Sequence, residues 1–130
     1  MFRKTFSAII PLILFVGGGT LLVTVPNTER NLKVLPRDIS DEKLDSIMQT
    51  YNKALGVKCA FCHVPVKGFP DSLNYASDAE PMKENARKMM RMVIELNTKH
   101  FYFDSTKRPE YLNTVTCKTC HRGEPFPPEN

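Results

Sequence analysis

Two pentapeptides, 59-CAFCH-63 and 117-CKTCH-121, hold all four cysteines and two of the three histidines of a 130-residue chain. In each, two thiols stand three positions apart and an imidazole follows the second directly. That order of groups suits covalent attachment of haem. Two cysteines form thioether bonds to the two vinyl groups, and the histidine after them binds the iron. One helical turn sets both sulfurs along a single porphyrin edge and brings the next residue inward. Cys59, Cys62, Cys117 and Cys120 are thus the expected thioether residues, and His63 and His121 the expected iron ligands, of two covalently bound haem c groups.

Three other uses of these cysteines explain less. A CxxC redox pair belongs in a βαβ context, and no such pattern is visible. Structural zinc spaces its two pairs by about 15–20 residues, whereas 54 positions separate Cys62 from Cys117. Two plain disulfides are compatible with export. None of these requires a histidine after either pair.

Each iron has a second axial position. Left open, it binds small ligands; closed by methionine, it makes an electron carrier of raised potential. Met48 lies eleven residues before Cys59, and Met89, Met90 and Met92 crowd one later segment. Spacing does not choose among those three. Met48 alone would ordinarily read as core packing, and His100 as a solvated residue near a helix end.

The elements that must position these groups are helical. Ser40 reads as an N-cap with Asp41 and Glu42 behind it. Leu44, Ile47, Met48, Tyr51 and Leu55 recur at helical spacing, and Gly56 ends the run as a left-handed cap. Residues 64–77 (VPVKGFPDSLNYAS) read as loop. Ser77 or Asp78 can cap a second helix with Pro81 in its first turn, reaching about Thr98. Its apolar face is Ala86, Met89, Val93 and Leu96. Lys83, Arg87 and Arg91 form a basic stripe, available to haem propionates or an acidic partner, or else simply solvated; Glu84 and Lys88 make an i, i+4 pair. A short last helix carries the second motif and stops at Gly123. The expected fold is all-α: a small multihaem cytochrome c domain of few short helices and long loops.

Ahead of it, Arg3 and Lys4 precede an uncharged run over residues 6–25. A run of twenty uncharged, mostly apolar residues after a basic start reads as a transmembrane anchor or a cleaved signal peptide. Either places the rest outside the cytoplasm, with an anchor's N-terminus inside. Residues 1–26 are thus assigned to anchor or signal, and 27–130 to the dihaem domain. Without Arg3 and Lys4 the basic residues fall from 18 to 16 against 14 acidic ones, a net charge of +2. So mild a charge gives no basis for nucleic-acid binding.

From NLKVL at 31–35 to RGEPFPP at 122–128, the chain resembles the N-terminal, two-haem half of the cytochrome c subunit of photosynthetic reaction centres. The segments that carry this are NLKVL, the Met48 helix leading into CAFCH, ARKMMRMVIELN at 86–97 and VTCKTCHRG at 115–123. The resemblance implies Met48 opposite His63 and Met89 opposite His121, with no ligand role for Met90 or Met92. The family protein goes on to a second pair of haems, one of which takes a histidine from the first half; His100 falls near that histidine without aligning to it.

The expected function is electron carriage between membrane-bound or periplasmic redox partners, on the periplasmic side of the bacterial inner membrane, anchored there or soluble after signal cleavage. The chain would serve alone or as a subunit of a respiratory or photosynthetic complex. An enzyme reading, as a small dihaem peroxidase or nitrogen-oxide reductase, requires an open iron. A redox or gas sensor requires an output domain, for which no stretch is evident.

Overall fold

A computed structural model describes residues 30–127 of the chain. The expected anchor or signal at 1–26 lies outside the described residues. Among those described, no helix is long and apolar enough to cross a membrane.

The first helix, α1, is Asp41–Leu55. Ser40 caps it, its hydroxyl accepting from the Lys43 N–H at 3.2 Å, and Asp41 and Glu42 occupy its first turn. Gly56 ends it in the left-handed region at φ 65°, where a side chain would be strained. A 3-10 turn at Cys59–Phe61 carries the first motif.

Two strands follow, β1 (Val64–Val66) and β2 (Phe69–Asn74), paired antiparallel with Val64 opposite Asn74. This hairpin corrects the expectation of a loop and of an all-α fold; the domain is helix-rich with one small two-stranded sheet. Gly68, the second residue of the Lys67-Gly68 connection, takes φ 83°, the left-handed backbone that a turn of type II needs at that position and that glycine supplies. Pro65 and Pro70 are tolerated because a two-stranded ribbon consists only of edges.

The long helix α2 is Pro81–His100, starting on Pro81 as expected but capped by Glu80, whose carboxylate accepts from the Met82 N–H. Asp78 is engaged elsewhere, with Lys33 (2.6 Å), Arg87 (2.8 Å) and Lys83 (3.2 Å). A 3-10 turn at Pro109–Tyr111 leads to α3, Cys117–His121, which is the second motif itself. Arg122, at φ 53°, ends α3 one residue before the expected stop at Gly123.

The protein core is thin. Among the described residues, Leu35, Ile39 and Ala54 are the buried apolar side chains, and Lys83, Arg87 and Asn97 the buried polar ones. Residues 83, 87, 90, 94 and 97 recur at spacings of four and three, so one stripe of α2 faces the protein; its ends are polar. The expected basic stripe is therefore corrected. Lys83 Nζ donates to the Tyr75 and Ser77 carbonyls at 2.8 and 2.6 Å, and Arg87 donates to the Asn31 carbonyl at 3.0 Å. Arg91 alone of the three is exposed, and it pairs with Glu84, which also takes Arg87 in place of Lys88.

Candidate haem sites

Both motifs are tight turns whose backbone satisfies itself. In the first, the Cys62 and His63 N–H groups both donate to the Cys59 carbonyl, at 3.2 and 3.0 Å. In the second, the Thr119 hydroxyl accepts from the Thr116 N–H at 3.0 Å and fixes the start of the helix. None of the four cysteines is paired in a disulfide in this structure. Among the described residues, no three His, Cys, Asp or Glu side chains converge as metal ligands.

The helix α1 reaches both motifs. The Asn52 amide donates to Cys59 Sγ at 3.4 Å. On the other side, the Ala54 carbonyl accepts from the Gly123 N–H at 2.9 Å, two residues past His121. Met48 is half-buried one turn before Asn52 on the same face,. An open depression of about 500 Å³ lies at Asn52 and Cys59, lined also by Gln49, Val57, Asp71 and Leu73 but not by Met48.

The helix α2 also serves both motifs. Its first turns bring Lys83 and Arg87 towards His63, whose pKa is pushed down first by burial and then by those two cations. Its last turns carry Asn97, fully buried, which exchanges two hydrogen bonds with Val115 and donates a third to the Leu112 carbonyl. Asn97 thereby sets the approach of the chain to Cys117. Next to the protein-facing stripe, Met89 (44%) and Leu96 (38%) are exposed, with Ala86 and Val93 half-buried on the same face.

The model of the photosynthetic reaction centre cytochrome c subunit family matches residues 24–130. The chain belongs to this family. These are c-type cytochromes, proteins that bind haem covalently and carry electrons. The chain is similar to cytochrome c-554 of Chloroflexus aurantiacus, with 36% identity over 84% of this chain and 24% of that one. It is also similar to the photosynthetic reaction center cytochrome c subunit of Roseobacter denitrificans, with 29% identity over 78% of this chain and 30% of that one. The chain thus spans less than a third of either relative. No solved structure matches it significantly.

The residues present fit the haem that this reaction centre cytochrome family implies. The His63 ring is half-buried, edge-on to Tyr75 at 4.9 Å, and its Nδ1 is buried without a hydrogen-bond partner. Its lowered pKa favours the neutral, metal-ligating imidazole. In the second motif, His121 Nδ1 lies 3.1 Å from the Glu124 carbonyl. A proton on Nδ1 makes that bond and leaves Nε2 free for a metal. Burial, with Glu80 and Cys59 adding, pushes the Cys62 thiol up; burial likewise raises Cys117. Both are thereby kept as neutral thiols. The uncovered stripe of α2 is apolar surface that a planar porphyrin would remove from water.

In this cytochrome chain, sequence reasoning missed Asn97 and the inward roles of Lys83 and Arg87. The readable signal was position: 83, 87 and 97 fall on the stripe that includes Met90, beside the apolar one rather than opposite it.

Proposed function

We propose that this chain is a dihaem electron carrier in which both irons are closed by histidine and methionine. Cys59 and Cys62 would hold one haem, with His63 and Met48 as axial ligands. Cys117 and Cys120 would hold the other, with His121 and Met89. The methionine pairings are what the family resemblance implies. Met48 is supported by its face, shared with the Asn52 that touches Cys59, and Met89 by its place on the uncovered stripe of α2. Bound haem supplies an iron that changes oxidation state by one electron while its ligands stay in place.

The protein's part is to hold and to exclude. Each turn presents two unpaired thiols and one imidazole from five consecutive residues, so attachment and ligation need no rearrangement of distant segments. The Glu124 carbonyl keeps the His121 ring in one tautomer. Methionine closure would shut out peroxide and nitrogen oxides, which is why the carrier reading stands above the enzyme one.

The observation that carries this reading is the presence of two such turns, with free thiols and available imidazoles, bridged by the same two helices. We place the domain on the periplasmic side of the inner membrane, tethered or released at its N-terminal segment. Its partners would be membrane-bound or periplasmic redox proteins of a photosynthetic or respiratory chain; tethering would raise their effective concentration. Carbon monoxide and cyanide test the closed irons: slow or absent uptake by the reduced and oxidised protein is expected, and fast uptake at either haem contradicts it.

A further inference from the structure

The two motifs meet through bare backbone. Gly56, three residues before Cys59, lies against Gly123, two residues after His121. A Cβ built on Gly56 would stand 2.0 Å from the Gly123 carbonyl oxygen and 3.1 Å from its carbon. Contacts under 3.0 Å force backbone apart, because a peptide cannot rotate away as a side-chain tip can. Both residues have positive φ, 65° and 101°. The approach is secured from the same turn of α1, where the Ala54 carbonyl accepts from the Gly123 N–H at 2.9 Å. Two residues before Ala54, Asn52 donates to Cys59 Sγ. The last turns of α1 are thus fixed to the first motif at one point and to the second at another.

We infer that Gly56 and Gly123 form a backbone clamp that locks the two haem-bearing turns into one rigid unit and so sets the rate at which electrons pass between them. This rests on the dihaem reading above. An electron passing between the motifs oxidises one iron and reduces the other, with no proton or ligand transferred, so the protein controls it only through separation, orientation and environment. Gly56 and Gly123 are positioning residues and neither is a ligand: Gly56 contributes the absence of a side chain, whereas Gly123, where a Cβ would meet nothing within 4 Å, contributes its backbone N–H and carbonyl and its positive φ.

The test uses the holoprotein. Gly56→Asn tolerates a left-handed φ yet places a Cβ against Gly123, and so isolates the collision from backbone strain. Gly68→Asn is the control, because Gly68 is also at positive φ but a Cβ there meets nothing within 4 Å. With two haems retained, Gly56→Asn is expected to weaken the magnetic coupling between the ferric haems and slow their electron exchange about tenfold or more, as ångström-scale misplacement of reacting groups does. Gly68→Asn should leave both as in the native protein. Native coupling in a fully loaded Gly56→Asn protein overturns the inference. Should that variant not fold, hydrogen exchange of the native holoprotein decides. The Gly123 amide is expected to exchange as slowly as interior α1 amides, and fast exchange there overturns the clamp. Haem content is read separately, so a native protein lacking two haems would sink the dihaem reading and not the clamp.

Discussion

Asn97 and Val115 read each other as two strands would: Asn97 Oδ1 accepts from the Val115 N–H at 2.8 Å, and Asn97 Nδ2 donates to the Val115 carbonyl at 2.8 Å. With its third bond to Leu112, one fully buried amide ties the end of α2 to the segment entering the second motif.

Replacing that amide leaves buried backbone groups without partners. Asn97→Ala is expected to destabilise the holoprotein by about 1–3 kcal/mol, measured by denaturant unfolding. It should disturb the second haem's spectrum more than the first's. A variant as stable as the native protein would show that Val115 is held by something else.

Asp78 gives a pH dependence with a defined sign. Its hydrogen bond from Lys33, first among its partners, with Asn31, Arg87 and Lys83 adding, holds its carboxyl well below the ordinary 3.8. A depressed folded pKa stabilises above the unfolded value, and that contribution is lost as pH falls. Glu84, lowered by Arg87 and Arg91, acts in the same direction. The stability gap between the native protein and Asp78→Asn should therefore be largest near neutrality and shrink as pH falls below about 4. Unfolding midpoints across pH 3–7 check this; a gap constant over that range would contradict it.

The methionine assignments separate by substitution. Met48→Ala and Met89→Ala should each abolish the weak far-red sulfur-to-iron band of one haem and lower its potential, since methionine ligation raises potential. Spectra and redox titration read both effects. His100→Ala should alter neither haem; a shift to high-spin iron would make His100 a ligand. Unchanged spectrum and potential in either methionine variant would cancel that residue's role.

How much of this could be read from sequence depended on how local each signal was. Ser40 and Gly56 act within a few residues of themselves, so the ends of α1 were legible. The hairpin was hidden, because prolines at 65 and 70 and an exposed Phe69 (66%) leave no alternating pattern. Lys83 and Arg87 looked like a surface stripe because their partners, at Asn31 and residues 75–78, come from loops whose course the sequence does not declare. The same loop contacts engage Asp78, so the cap passed to Glu80. Asn97 at the end of an apolar run gave no sign that Leu112 and Val115 would come to it. The two pentapeptides were legible because each holds its chemistry in five consecutive residues.

The central claim is that each pentapeptide covalently holds one haem, and the intact mass of the protein, produced in a host that assembles c-type cytochromes and denatured before measurement, tests it most directly. The account predicts the polypeptide mass plus two haems. Polypeptide alone, or with a single haem, would contradict it.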